Sequence, residues 1–378
     1  MTPGLHVYVH VPFCRYRCPY CAFYNVRPDE DRESAFLDGA AREIEVWRGR
    51  GAFDGAPLAT LYWGGGTPSR LSPPGTRRLA ELSLGVAPAA ADLEWTVEVN
   101  PADVDADRFA FYRELGVTRI SVGVQSFDAG RLKFLGRDHG GERAREAVVG
   151  AAAAGFPEIS LDLIFNLAVE GSEAAWREDL ETGLDLPITH LSLYGLTIEP
   201  GTPFRRRTDA GERLTRPDDG YGVEYLRACR AARRRGFEHY EVSSFARPGH
   251  RSRHNQAYWT GEPYLGLGPA AHSFDGRRRW ANVASLEAWS RALAEGGDPR
   301  EFVETLGPAE RELETIYLGL RTARGVDEDH PLLTRSEGRP VVEGLVKRGK
   351  LRREAGRVRC TERGFLVLDA ILASLSGR

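Results

Sequence analysis

The sequence predicts an α/β protein: a partial (β/α)6 barrel of the TIM type followed by a small winged-helix-like domain. Three observations carry this reading. Short apolar runs rich in β-branched and aromatic residues alternate six times with longer amphipathic runs, the pattern of βα units feeding a parallel sheet. Polar or special residues collect just past each short run, as at the C-terminal mouth of a βα barrel. Beyond Pro308 a helical period returns on both sides of a hairpin signal. At about 150 residues per domain, the 378 residues divide into a barrel over 1–240, a loop-rich region packed on it over 241–305, and a C-terminal domain over 306–378.

Taken in order, the predicted strands are Leu5–Val11, Leu58–Trp63, Leu93–Val99, Arg119–Val124, Glu158–Ile164 and Thr189–Tyr194, with helices centred near residues 40, 79, 110, 147, 180 and 227. Strand one leads to His10 and a cysteine cluster, strand two to Gly64-Gly65-Gly66-Thr67, strand three to Glu98 and Asn100, and strand four to Gln125. Asp162 sits near the end of strand five and Tyr194 closes strand six. Any one of these fits an ordinary turn or cap, but the series fits one shared site. From Glu241 to Trp280 the texture turns to aromatic, Gly, Pro and Arg, which predicts long ordered loops. In the last domain, Leu313, Ile316, Tyr317 and Leu320 share one helical face and Val341, Val342, Leu345 and Val346 another. Leu351 to Cys360 reads as a hairpin around Glu354-Ala355-Gly356, and Thr361 reads as the N-cap of a final helix carrying Leu366, Leu368, Ile371 and Leu372.

Composition narrows the function. The 51 basic and 54 acidic side chains leave a net charge of −3, which asks for no polyanionic partner. Only three of the basic residues are Lys, a bias read as coding preference. The most apolar uncharged stretch, Ala147 to Pro157, falls well short of the roughly 20 residues a membrane helix needs. The N-terminal run does not resemble a signal peptide, so a cytoplasmic protein is expected. Of five cysteines, three lie within eight residues, which points to a reducing compartment and a metal site rather than disulfides.

Those three, Cys14, Cys18 and Cys21, form C-x3-C-x2-C on a loop leaving a strand. Three thiolates on a four-iron cubane leave one iron open to an exogenous ligand. The competing reading is a structural Cys3His zinc site completed by His10 or His6. Cys229 and Cys360 read as buried small hydrophobes.

Together with Trp63-Gly64-Gly65-Gly66-Thr67-Pro68-Ser69, this cysteine spacing resembles the radical S-adenosylmethionine superfamily. The glycine run lacks the Gly-Lys-Ser/Thr ending of a nucleoside-triphosphate loop. The resemblance implies a [4Fe-4S] cluster on the three cysteines, S-adenosylmethionine chelated to the open iron, and a 5′-deoxyadenosyl radical on reduction. It implies cofactor contacts from Gly65, Gly66, Thr67, Glu98, Gln125, Arg137 and Asp162, with Tyr8 and Phe23 as walls. For the polar members the alternative is a hydrogen bond or salt bridge at the barrel rim.

Within that superfamily the chain resembles the branch of anaerobic coproporphyrinogen dehydrogenases and heme chaperones of the HemW type, over nearly its whole length. Dehydrogenases carry a further Cys two residues after the third ligand and a long N-terminal extension. Here that position is Phe23 and the first ligand is already residue 14, so the chaperone side is favoured. His254-Asn255-Gln256-Ala257-Tyr258-Trp259 matches the heme-associated motif, which implies heme contacts from His254, Tyr258 and Trp259; the alternative is an aromatic anchor holding the loop to the barrel. His272 is a second candidate ligand, and Arg277 to Arg279 are candidates for porphyrin propionates. Asn166-Leu167-Ala168 stands where the family shows Gly-Leu-Pro, a departure that leaves open the conformation of the loop after strand five and with it the reach of Asp162.

The implied function is heme binding and delivery to heme-accepting proteins, of the respiratory kind, with at most peripheral membrane contact. The alternative is oxidative decarboxylation of coproporphyrinogen. A third reading, a nucleic-acid-binding regulator or RNA modifier, follows from the winged-helix-like tail, but residues 311–378 hold 14 basic against 10 acidic side chains, too dilute for a DNA-reading face.

Overall fold

A computed structural model describes residues 4–50 and 55–376; the expected outer limits at residues 1 and 378 lie outside them. The chain runs β1 (Leu5–Val11), α1 (Glu30–Arg50), β2 (Leu58–Gly65), α2 (Pro73–Leu84), β3 (Ala89–Val99), α3 (Ala106–Leu115), β4 (Arg119–Gln125), α4 (Ala129–Phe134), α5 (Gly141–Ala153), β5 (Glu158–Phe165), α6 (Ser172–Asp185) and β6 (His190–Gly195). It continues through α7 (Pro203–Asp209), α8 (Asp218–Arg234), β7 (Glu238–Glu241), β8 (Ser244–Ala246), α9 (Arg253–Thr260), β9 (Tyr264–Leu267), β10 (His272–Phe274), β11 (Arg278–Asn282), α10 (Leu286–Ala294) and β12 (Arg300–Thr305). The last part holds α11 (Pro308–Gly319), β13 (Val326–Asp327), α12 (Pro331–Thr334), α13 (Gly338–Lys347), β14 (Leu351–Glu354), β15 (Arg357–Cys360), α14 (Glu362–Phe365) and α15 (Leu368–Ser376).

Among the described residues one sheet of twelve strands runs β12-β11-β10-β9-β1-β2-β3-β4-β5-β6-β8-β7. β1 to β6 pair in parallel in chain order, the arrangement expected from the six βα units. The segment 241–305 departs from the expected loops. β9 adds in parallel to the free edge of β1, and β10, β11 and β12 follow antiparallel. These strands are short, and β9 carries a glycine that the packing demands; a Cβ on Gly266 would stand 2.1 Å from the His272 carbonyl oxygen. Strands this brief leave little period-two signal to read.

The two faces of the parallel strands divide by chemistry, because alternate side chains point to opposite sides. Val7, Val9, Leu61, Trp63, Trp95, Val97, Ile120, Val122, Leu161, Leu163, Leu191 and Leu193 belong to one continuous apolar core. The alternate positions are polar: His6, Tyr8 and His10 on β1, Thr60 and Tyr62 on β2, Glu94, Thr96 and Glu98 on β3, then Arg119 and Ser121, Ser160 and Asp162, and His190 and Ser192. Deep in this polar layer the buried Arg119 bridges Glu94 at 3.1 Å and Glu158 at 3.3 Å.

The C-terminal region gives the expected helices and hairpin, with β13 completing a three-stranded sheet ordered β13-β15-β14. Thr361 caps as expected, accepting from the Gly364 amide at 3.1 Å, but the final helix is broken between α14 and α15. No described helix is long and apolar enough to cross a membrane.

Candidate functional site

The cysteine loop is a side loop with a closed neck. Phe13 and Val26 form a bridge, the Cys14 amide donates to the Val26 carbonyl at 2.9 Å, and the Val26 amide to the Pro12 carbonyl at 2.7 Å. The glycine turn after β2 is laced to the same neck: the Gly66 amide reaches the Val11 carbonyl at 2.9 Å and the Thr67 amide the Phe13 carbonyl at 2.7 Å. These glycines are required by close approach. At Gly65, with φ +93°, a Cβ would lie 2.3 Å from the His10 ring, and at Gly66 it would lie 2.5 Å from the Val11 carbonyl oxygen.

The three thiols suit a polynuclear cluster better than a single ion. Among the described residues one trio of metal-ligand type, Cys229, His239 and Glu362, brings its donor atoms within 4.8 Å of one another, and it is not the N-terminal trio. In that distal trio the Arg233 cation already answers the Glu362 carboxylate. A tetrahedral zinc shell gathers its donors within such a distance, and the N-terminal thiols do not meet it. The imidazoles that would complete such a shell are engaged as well. His6 pairs with Thr60 at 2.9 Å and Glu262 at 3.1 Å, and His10 with the Tyr24 carbonyl at 2.8 Å and the Tyr8 hydroxyl at 3.2 Å.

Burial pushes the Cys14 thiol up to about 11, so its deprotonation calls for a bound metal. Thr67 Oγ1 lies 3.4 Å from Cys14 Sγ, and Arg137 Nη1 3.6 Å from Cys18 Sγ while its Nη2 donates to the Gly123 carbonyl at 2.9 Å. The same guanidinium works against the burial of Cys14, lowering a thiol that desolvation raises. The donor set therefore fits a cluster, which, when bound, would supply electrons to a ligand on its open iron.

Beside the thiols lies a cavity of about 530 Å³ lined by Cys21, Phe23, Gly65, Gly66, Thr67, Glu98, Gln125, Arg137, Asp162 and Tyr194. The sequence-predicted cofactor residues thus converge from the ends of β2 to β5, with Phe23 from the cysteine loop and Arg137 from beyond α4; Tyr8 instead lines the neighbouring cavity. Glu98 accepts from the Tyr62 hydroxyl at 2.7 Å and the Gly65 amide at 3.2 Å, and burial pushes its carboxyl up to about 7. Asp162 accepts from Ser121 Oγ at 3.0 Å through Oδ2, while its buried Oδ1 has no partner; burial raises this carboxyl to about 6. Gln125 closes β4 with φ +67°, a left-handed conformation costly for a residue with a Cβ. Two carboxyls, an amide and glycine-exposed backbone on one wall suit a zwitterionic ligand carrying an amino group and a polar sugar.

The loop after β5 shows how the Asn166 departure is absorbed. Asn166 takes φ +69°, the conformation a glycine adopts without cost and Asn tolerates better than most residues. Its amide donates to Glu224 Oε2 at 2.8 Å. Asp162, four residues before it, lies on the cavity wall.

A second cavity, of about 810 Å³, adjoins the first across Ala22, Phe23, Gly65 and Glu98. Tyr8, Tyr24, Tyr62, Tyr258 and Tyr264 wall it, and His10, His254 and His272 lie on its lining. Phe23 is 64% exposed at the junction. The heme-associated motif is divided. His254 and Tyr258 share one face of α9, four residues apart. His254 is buried, with Nδ1 2.7 Å from Thr60 Oγ1 and Nε2 2.9 Å from the Tyr258 hydroxyl, and burial lowers its pKa to about 3. Trp259, about 100° further round the helix, instead lines a separate cavity of about 470 Å³ against α11 and the C-terminal strands. Of the arginines proposed for propionates, Arg278 pairs with Asp275 and Arg279 with Glu314.

Tyr62, Tyr24 and Tyr264 went unnoticed at the sequence level. The signal was there for Tyr62, since it stands two residues from Thr60 on a strand whose other face is wholly apolar.

A parallel βα sheet with a three-cysteine loop after β1, a glycine turn after β2 and polar groups at the later strand ends defines the radical S-adenosylmethionine class. The Radical SAM superfamily profile matches residues 8–175. The chain also matches "Heme chaperone HemW" of Mycobacterium tuberculosis, 34% identical over 98% of this chain and 94% of that protein. "Heme chaperone HemW" of Bacillus subtilis is 30% identical over 98% of each. Among solved structures, coproporphyrinogen III oxidase (HemN) from Escherichia coli superposes with a TM-score of 0.83 at 24% identity, covering 99% of this chain and 90% of that one, a likeness of fold. The chain belongs to the HemW family.

Proposed function

We propose that the protein is a heme carrier. Cys14, Cys18 and Cys21 hold a [4Fe-4S] cluster, and Gly65, Gly66, Thr67, Glu98, Gln125, Arg137 and Asp162 hold S-adenosylmethionine on it. Heme occupies the adjoining aromatic cavity, from which heme-accepting proteins receive it. One observation carries the reading: a cavity large enough for a flat macrocycle, walled by five tyrosines, shares Phe23, Gly65 and Glu98 with the cofactor cavity. Aromatic walls suit a porphyrin face, and the size lies within the range of small-molecule sites. Tyr8, His254 and Tyr258 belong to this wall; Trp259 would act from the neighbouring cavity by holding α9.

The test is parallel titration of the anaerobically reconstituted protein with ferric heme and assay with coproporphyrinogen. A saturable Soret shift with no protoporphyrinogen formed supports the carrier. Turnover of coproporphyrinogen at enzymatic rates replaces it with the dehydrogenase.

A further inference from the structure

Heme iron takes an axial ligand from a side chain whose donor atom is bare and faces the pocket. Three imidazoles line the aromatic cavity, and two are committed. His10 sits between the Tyr24 carbonyl and the Tyr8 hydroxyl. His254 sits between Thr60 and Tyr258, with the Tyr62 ring stacked on it at 5.0 Å. Freeing either ring would strand buried polar partners, at about 1–3 kcal/mol for each one.

His272 differs. It is exposed at the cavity, and among the described residues neither of its ring nitrogens has a hydrogen-bond partner. Alternation along β10 buries the next residue, Ser273, whose Oγ accepts from the Gly266 amide at 2.8 Å. That contact anchors the strand and turns His272 the other way. The backbone leading into it is fixed too. Ala270 is held at φ +62°, and the Asn282 amide donates to the Ala271 carbonyl at 2.9 Å. A strained alanine on a well-bonded turn is the kind of distortion that persists where a side chain must be aimed. Burial and Arg279 lower the His272 pKa, which keeps the ring neutral with a lone pair available.

Resting on the heme-carrier reading, we propose that His272 ligates the heme iron and that His254 is a positioning residue for Tyr258 and Tyr62. The step is a dative bond: the imidazole lone pair fills an axial position, displacing water where water occupies it, with no change in oxidation state.

Ferric heme and metal-free protoporphyrin are titrated into the cluster-loaded full chain as wild type, His272→Ala, His272→Gln and His254→Ala. The proposal expects both His272 variants to weaken ferric heme by roughly tenfold or more and to lose the imidazole-ligated Soret and EPR signature. Metal-free porphyrin binding should stay unchanged in both, and added imidazole should restore the signature in His272→Ala. His254→Ala should keep the signature while weakening heme and metal-free porphyrin alike. An intact signature in the His272 variants overturns the assignment, as does equal loss of metal-free porphyrin without rescue by imidazole. Wild type with no Soret change sinks the heme-carrier reading itself, an outcome distinct from the other two.

Discussion

Tyr62 donates its hydroxyl to Glu98 at 2.7 Å, and through that bond the two cavities share a wall. The same ring stacks on His254, while Glu98 also accepts from the Gly65 amide in the glycine turn. The Tyr62 bond lowers a carboxyl that burial raises to about 7. Tyr62→Phe keeps the stack and deletes the bond, so Glu98 should hold its proton to higher pH. S-adenosylmethionine, whose amino group needs an anionic partner, should then bind more weakly near neutrality and recover as pH rises, with heme affinity little altered. Calorimetric titration from about pH 6 to about pH 8 checks this; identical profiles for variant and wild type would separate Glu98 from cofactor binding.

Anaerobic reconstitution should load about four irons per chain. Cys14→Ser, Cys18→Ser and Cys21→Ser should each lose most of the cluster's visible absorption, and Cys229→Ser and Cys360→Ser should retain it, because the last two thiols are buried far along the chain in the core. Stoichiometric zinc in protein purified without oxygen contradicts the assignment.

Glu43 supports the turn that leads to His272. Its carboxyl is fully buried and accepts from the Gly268 amide at 2.8 Å, Asn282 Nδ2 at 2.6 Å and Trp289 Nε1 at 3.3 Å. All three donors are uncharged, and burial outweighs them to raise the pKa to about 7 from an ordinary 4.5. Between those values the folded protein binds the extra proton, so this group makes stability fall as pH rises through the window, by at most about 1.4 kcal/mol per pH unit. Glu43→Gln should flatten that part of the stability profile in denaturant titrations. Glu43→Ala should cost about 3 kcal/mol by stranding buried donors.

Asn166 supplies a control on backbone strain. Asn166→Gly should leave stability within about 0.5 kcal/mol, and Asn166→Ala should lose about 1–2 kcal/mol at a left-handed φ. Chemical denaturation of the two variants measures the difference directly, and equal values would mean that the Glu224 bond, not φ, governs this loop.

Much of the architecture was legible because it is local. The six parallel strands read from their runs of β-branched and aromatic residues, since the face a strand turns to its covering helices must be apolar whatever its neighbours are. Cys14, Cys18 and Cys21, the glycine turn, Glu98 and Asp162 read from spacing and from their place at strand ends, because a βα unit directs every strand's C-terminal end to the same side. Tertiary structure alone decided the rest. β9 to β12 draw their pairing from the free edge of β1, a partner more than 250 residues away in the chain, and a strand defined by its edge carries little pattern of its own. The motif His254 to Trp259 reads as one unit in sequence, yet a helix turns successive side chains about 100° apart, which sends Tyr258 into the aromatic cavity and Trp259 into another. Likewise the three cavity histidines are chemically equal in sequence; which of them keeps a free nitrogen depends on Thr60, Tyr8 and Tyr24, groups brought beside them only by folding.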